Sequence, residues 1–159
     1  MTTLRSLTLI MPLLAIGQGC DRGQAPQPAK VTIGGTSWTV EIAATEDQRY
    51  QGLSDRPSLA PSTGMLFVFP NAQELTFCMR RCLIPLDIAF IGPDMKVVRT
   101  DTMKVEPYGR EVLVYSSYLP AQYVLEVNAG GLKRAGVKMG DSVVFSGPAP
   151  SPAKGEAAP

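Results

Sequence analysis

The chain has 159 residues and a formal net charge of +1, with 15 basic residues, 14 acidic residues and no histidine. This length suits one domain with its own core, and 45% apolar residues exclude a disordered chain. The balanced charge gives no electrostatic case for nucleic acid, which needs clustered basic side chains. The lack of histidine excludes Ser-His-Asp triads, Cys-His dyads and imidazole metal sites.

Residues 1–19 have the pattern of a cleaved export signal. Arg5 precedes the apolar run Leu7–Ile16, and Gly19 stands directly before Cys20. The run is about half as long as a membrane-spanning helix. The segment is similar to bacterial lipoprotein signals, in which the cysteine after the cleavage point carries a lipid; an ordinary secretion signal is the alternative. We expect an exported protein, anchored to a cell-envelope membrane through Cys20, with its domain in the periplasm or another extracytoplasmic space.

Two flanking segments have the composition of flexible chain. Residues 20–29 are polar and contain Pro and Gly, which is typical of a tether. Residues 148–159 are rich in Pro and Ala, which is typical of a disordered tail. The folded domain is therefore expected to span residues 30–147.

The first part of that domain predicts a hairpin and a short helix. Val31–Ala43 alternates apolar with polar residues around a Gly34-Gly35 pair, a sequence typical of a two-residue hairpin turn. Thr45 and Gln48 form a capping-box pattern, because each side chain can bond the backbone N–H of the other. A helix of about two turns should follow.

The rest of the domain predicts further short strands and one more short helix. The apolar or alternating segments are Gly64–Phe69, Pro85–Ile91, Lys96–Thr102, Tyr123–Asn128 and Ser142–Ser146, and the helix is Gly130–Ala135. About seven strands with two small helices indicate a mainly β domain. We expect a single β-sandwich or a partly open, jelly-roll-like barrel.

Five segments together carry a family resemblance. In chain order they read TEDQRYQGLSDRPSL, GMLFVF, FCMRRCLIPLDIAFI, YVLEVNAGG and GVKMGDSVV. Their order and spacing resemble the domain-of-unknown-function family 192, small prokaryotic proteins that are often exported or membrane-anchored. The resemblance covers nearly the whole expected domain. It implies a mostly β, sandwich-like fold and no particular reaction.

The family pattern matches at ten positions in two segments: Glu46, Arg49, Gly52, Leu53, Arg56, Phe77, Met79, Pro85, Leu86 and Asp87. The departures are concentrated in the family's most characteristic hexapeptide. There Cys78 replaces a Trp, Arg80 and Arg81 replace Lys-Asn, and Cys82 replaces a Thr, whereas Ser54 replaces a Met in the earlier segment.

Cys78 and Cys82 are candidates for a disulfide. In an extended strand they would lie too far apart to bridge, so a bond requires a tight bend at Met79–Arg81. If Cys20 carries a lipid, these two cysteines remain as an even pair in an oxidising compartment. We expect a structural disulfide across a bend; two free thiols or a redox pair are the alternatives. Two thiolates without histidine make an incomplete zinc site, so we expect no metal.

Four residues are candidates for ligand binding. Asp87 lies in an apolar run, where a carboxylate is costly unless it is paired, and Arg56 or Arg80 would be its partner. Glu126 lies on one face of the Tyr123–Asn128 strand and would form an acid–base pair with Asp87 if both lined one cleft. Met79 belongs either to the core or to an apolar groove.

These observations favour a non-catalytic envelope protein that binds a small molecule or another envelope protein, without a cofactor. One alternative is a hydrolase or lyase using Asp87 and Glu126 with Arg56. The other is a redox protein using Cys78 and Cys82.

Overall fold

The computed structural model describes residues 27–106, 112–148 and 150–151. It contains nine strands and two short helices in the order β1 (Lys30–Ile33), β2 (Thr36–Ala43), α1 (Glu46–Gln51), β3 (Thr63–Gln73), β4 (Thr76–Phe77), β5 (Leu86–Ile91), β6 (Val97–Met103), β7 (Tyr115–Ser116), β8 (Ala121–Asn128), α2 (Gly131–Arg134) and β9 (Val143–Ser146). The expected signal segment, Cys20 and most of the expected tail lie outside these residues. Within them, every helix is too short to cross a membrane.

Seven strands form one sheet in the order β6-β5-β8-β3-β2-β1-β9, and β4 pairs with β7 in a separate ribbon. All neighbours in the large sheet are antiparallel except β2 and β3, which are parallel. Helix α1 and the loop after it form the crossover that this parallel pair needs.

The two edge strands of the large sheet meet at one end. Lys96, just before β6, forms an isolated antiparallel bridge with Ser142, just before β9. The backbone N–H of Val97 donates to Asp141 O at 2.9 Å, and that of Val143 donates to Met95 O at 2.8 Å. The sheet is therefore a half-barrel whose edges are joined at this seam.

Both faces of the sheet carry apolar clusters. The inner core comprises Val31, Ile33, Trp38, Val40, Leu66, Val68, Ala89, Ile91, Val97, Leu125, Val127, Leu132 and Val143. The outer core comprises Ala43, Leu53, Met65, Phe67, Leu75, Met79, Leu86, Ile88, Phe90, Met103, Ala121 and Val124. Because both faces are covered, all six residues of β5 are buried.

The structure confirms the expected fold class, and its half-barrel corresponds to the partly open barrel of the two expected architectures. Gly34 and Gly35 have φ values of 58° and 81°, as the hairpin turn requires. In α1, Thr45 Oγ1 accepts from Gln48 N at 3.2 Å, and Gln48 Oε1 accepts from Thr45 N at 3.0 Å. The predicted capping box is therefore present.

Gly64 allows β3 and β8 to approach closely. A Cβ at this position would lie 2.4 Å from the carbonyl oxygen of Glu126. Any side chain here would push apart the two strands, and Glu126 would move with β8.

Candidate functional site

A cleft lies over the outer face of the sheet, between α1 with its following loop and the segment around β4. It has a volume of about 380 Å³ and is lined by residues 49–54 and 76–78 together with Phe67, Phe69, Arg80, Cys82 and Glu126. We call it the Glu126 cleft, because Glu126 on β8 is the titratable side chain that the sheet contributes to its lining.

Short backbone contacts fix the two walls of this cleft relative to each other. A tight turn follows β4, in which Cys82 N donates to Met79 O at 3.0 Å. The loop after α1 is hydrogen-bonded to this turn. Asp55 N donates to Arg81 O at 2.8 Å, and Ser54 Oγ donates to Arg80 O at 2.9 Å. The two segments that resemble the family are thereby held side by side.

Two arginines lie at the cleft with their guanidinium groups held by backbone carbonyls. Arg49 Nη1 donates to Ala44 O at 2.7 Å and to Val68 O at 3.0 Å, and its guanidinium lies 4.9 Å from the ring centre of Phe69. Arg80 donates to Tyr50 O, and its guanidinium lies 3.9 Å from the centre of the Tyr50 ring. Both positive charges are therefore fixed in position.

Phenylalanine side chains form the apolar part of the cleft. Phe77 packs edge-on against Phe67, with ring centres 5.0 Å apart, and against Phe69 at 6.3 Å. It also contacts Phe90 of the outer core at 5.9 Å. The cleft therefore offers aromatic surface continuous with the core.

Glu126 is a buried carboxyl group, 4% exposed, in the cleft lining. Its strand neighbours are Met65 on β3 and Ile88 on β5. Among the described residues it has no hydrogen-bond or ion-pair partner. Loss of solvation raises its pKa from 4.5 to about 8. At neutral pH the carboxyl group is mostly protonated and can donate a hydrogen bond.

Cys78 and Cys82 are free thiols in this structure, so it does not contain the expected structural disulfide. The tight bend that such a bond requires is present, but Cys78 is exposed whereas Cys82 packs against the outer core. Burial, together with the nearby charge of ionised Glu126, raises the pKa of Cys82 to about 11. Cys82 is consequently a weak nucleophile at neutral pH.

Arg56 does not contact Asp87. Its guanidinium forms a two-pronged ion pair with Glu41, with N···O distances of 2.5 and 2.7 Å. Hydrogen bonding from Arg56 holds the pKa of Glu41 below its usual value. The expected pairing of Asp87 with an arginine is therefore wrong, and Arg56 lies outside the Glu126 cleft.

Asp87 instead supports the fold. Its Oδ1 accepts from Thr102 Oγ1 at 2.8 Å, and its Oδ2 accepts from the backbone N–H of Leu132 in α2 at 3.0 Å. The side chain is 2% exposed. It therefore joins β5 to β6 and to α2.

The structure separates the two carboxylates of the acid–base alternative. Strands β5 and β8 are in a register that pairs Asp87 with Val127 and Ile88 with Glu126. Because side chains alternate between faces, Asp87 lies on the inner face and Glu126 on the outer face. The predicted alternative, a hydrolase or lyase that uses Asp87 and Glu126 as a pair, is therefore wrong.

Met79 is 2% exposed in the outer core and does not line the cleft. Of the four expected ligand-binding residues, the cleft contains Glu126 alone. Sequence reasoning missed Arg49, Tyr50 and Phe77 as cleft residues. All three belong to the two most characteristic family segments, which are far apart in the chain. Two distant segments that both match one family pattern suggest a shared site, and this signal could have found the three residues.

Known proteins place this chain in a family. Residues 29–145 match the model of DUF192, described as "Uncharacterized ACR". A structure described as a candidate transcription regulator from Sinorhizobium meliloti is 34% identical, covers 77% of this chain and 95% of its own, and superposes with a TM-score of 0.64. A protein of unknown function from Novosphingobium aromaticivorans is 35% identical, with coverages of 74% and 83% and a TM-score of 0.63.

No curated protein shows significant similarity to this sequence. The family match spans most of the chain and includes both walls of the Glu126 cleft. The chain belongs to the domain-of-unknown-function family 192.

Proposed function

We propose that this protein is a non-catalytic binding module, which holds a small organic molecule in the Glu126 cleft. The observation that carries the proposal is Glu126, a buried carboxyl group without a partner among the described residues that lines an open, aromatic cleft. A buried polar group of this kind is costly unless a ligand or water satisfies it.

The chemistry of the cleft favours a particular kind of ligand. A protonated Glu126 can donate to a carbonyl oxygen, while Phe67 and Phe77 can pack against an apolar body. The positive charge of Arg80 disfavours a cationic ligand. A neutral or anionic molecule with an apolar ring and a carbonyl group fits these three features.

Binding is tested with benzamide as a probe, using ligand-observed NMR on the full chain under reducing conditions. We expect binding at pH 6 and weaker binding at pH 9, because ionised Glu126 no longer donates. E126L should abolish binding, and E126Q should retain it without the pH dependence. E41Q is the matched control, because it removes a carboxylate outside the cleft. Equal binding by E126L and the unmodified protein would refute the proposal.

We further propose that the protein is exported and anchored by a lipid on Cys20. The support is Arg5, the short apolar run Leu7–Ile16 and the small residue before Cys20. Expressed in a bacterium, the unmodified chain should fractionate with membranes and carry a lipid on a new N-terminal Cys20. A C20S chain should lose both properties. Membrane association that survives C20S would contradict the lipid anchor.

A second candidate function is thiol–disulfide exchange, which the shared turn of Cys78 and Cys82 favours. Both cysteines line the Glu126 cleft. The thiolate of Cys78 would attack a small disulfide, forming a mixed disulfide and releasing one thiol. Cys82, as its thiolate, would then attack Cys78 Sγ and release the second thiol. The protein pair loses two electrons and two protons, and the small disulfide gains them.

Exchange is tested with glutathione disulfide on a C20S chain, followed by intact mass. We expect a Cys78–Cys82 disulfide, formed slowly because little Cys82 is ionised at neutral pH. C20S/C82S should stop at a glutathione adduct on exposed Cys78, and C20S/C78S should react more slowly. If C20S also stops at the adduct, the exchange function is excluded.

A further inference from the structure

A second cavity lies at the end of the half-barrel near α2, away from the Glu126 cleft. Its volume is about 450 Å³, and its lining includes Thr36, Trp38, Ser62, Asn128, Gly131 and Arg134. In the part of the chain that the structure describes, it shares no lining residue with the Glu126 cleft. Nothing in the proposed function uses it.

The indole of Trp38 presents a hydrogen-bond donor to this cavity. Trp38 is 4% exposed and belongs to the inner core. Its Nε1 has no hydrogen-bond partner among the described residues, but this atom is not fully enclosed by the protein. Nε1 is therefore accessible, and it lies 3.9 Å from the position that a Cβ on Gly131, another lining residue, would take. A buried indole N–H usually has a partner, and here the space for one is the cavity itself.

The lining of this cavity also carries positive charge. Arg134 is exposed at the end of α2 and forms no ion pair among the described residues. Its Nη1 lies 2.7 Å from the position that a Cβ on Gly130 would take, so the absence of that Cβ allows the guanidinium to fold back over the backbone. Among the described residues, the lining contains no acidic side chain.

Backbone contacts hold the polar wall of the cavity in place. Asn128 Nδ2 donates to Leu59 O at 2.9 Å and to Ala60 O at 3.2 Å, which ties the loop before β3 to β8. Thr39 N donates to Ser62 O at 2.9 Å. Ser62 and Thr36, which carry hydroxyl groups, also line the cavity.

We propose that this cavity is a second ligand site, which binds an oxyanion group between the Trp38 indole N–H and the Arg134 guanidinium. A phosphate-type group has acceptor oxygens for the indole donor and the hydroxyl groups, and its charge pairs with the planar guanidinium. The ligand is either a soluble oxyanion or the headgroup of an anionic lipid, which present the same chemistry.

The sequence supplies a specific reporter for this site, because Trp38 is its one tryptophan. The full chain is titrated with sodium phosphate at constant ionic strength, with sodium chloride as the reference, while the indole N–H resonance is followed. We expect a saturable shift with phosphate and none with chloride. R134Q should weaken the apparent affinity at least tenfold, and R134K should weaken it less. K133Q is the matched control, since it removes the neighbouring exposed cation of α2 outside the lining, and should match the unmodified chain.

A parallel measurement identifies the source of the oxyanion. Tryptophan fluorescence is followed with phosphatidylglycerol vesicles and with phosphatidylcholine vesicles. A change with phosphatidylglycerol alone that R134Q removes assigns the site to a lipid headgroup, and a response to free phosphate alone assigns it to a soluble ligand. No response to either, or identical responses in R134Q and the unmodified chain, would overturn the proposal.

Discussion

Asp87 and Glu126 are two buried carboxyl groups on adjacent strands, and their surroundings differ completely. Asp87, on the inner face, accepts hydrogen bonds from Thr102 and from the backbone of Leu132. Glu126, on the outer face, has no partner among the described residues and lines an open cleft. The satisfied carboxylate stabilises the fold, whereas the unsatisfied one is available to a ligand. Burial alone therefore does not identify a functional acid; its unmet hydrogen bonds do.

The largest effect is expected from the titration of Glu126. Its pKa is raised from 4.5 to about 8, so between these pH values the folded state holds a proton that the unfolded state has lost. The free energy of unfolding should fall as the pH rises through this window, by up to roughly 1.4 kcal/mol per pH unit. E126Q should remove this slope. Urea unfolding at several pH values measures it, and parallel curves for both proteins would contradict the raised pKa.

A smaller effect is expected from removing Asp87. D87A leaves the Leu132 N–H and the Thr102 hydroxyl without their acceptor in a buried region, which should cost about 3 kcal/mol of unfolding free energy. T102V removes one of the two bonds and should cost about 1 kcal/mol. Urea unfolding at pH 7 measures the loss of unfolding free energy in both variants. If D87A unfolds like the unmodified protein while benzamide binding is lost, Asp87 belongs to a binding site.

The smallest effect is expected from Glu41, a carboxylate at the surface. Its ion pair with Arg56 is well formed, but the two side chains are 58% and 34% exposed. Solvent screening limits such pairs to less than about 1 kcal/mol, so E41Q should shift the urea midpoint only slightly, and less at high salt. A loss as large as that of D87A would show that the Arg56 region is structurally more important than its exposure indicates.

Local sequence patterns predicted the local elements of the fold. The Gly34-Gly35 turn, the capping box of α1 and the apolar β5 each depend on residues close together in the chain, and all three are present. Strands β4 and β7 have two residues each and no periodicity to detect. The family resemblance supplied what local patterns did not, because it placed the whole domain in one family.

The candidate site depended on contacts that the sequence does not specify. Alternation correctly put Glu126 on the face opposite Leu125 and Val127, but it could not show that α1 and the Cys78–Cys82 turn cover that face. The register between β5 and β8 decided that Asp87 and Glu126 lie on opposite faces. A shift of one residue would have brought them together, and strand register is a tertiary property.

The neighbourhood of β1 and β9 has a consequence for how the domain is completed. Lys30 pairs with Ser146, so the first strand of the described residues has the last described strand as its outer neighbour. Val143 of that strand is part of the inner core, and its entry also joins the seam with β6. A polypeptide still emerging from the ribosome, or cut before residue 143, cannot finish the half-barrel. Contacts of such long sequence separation carry a high loop-closure cost, so we expect β9 to join the sheet late in folding.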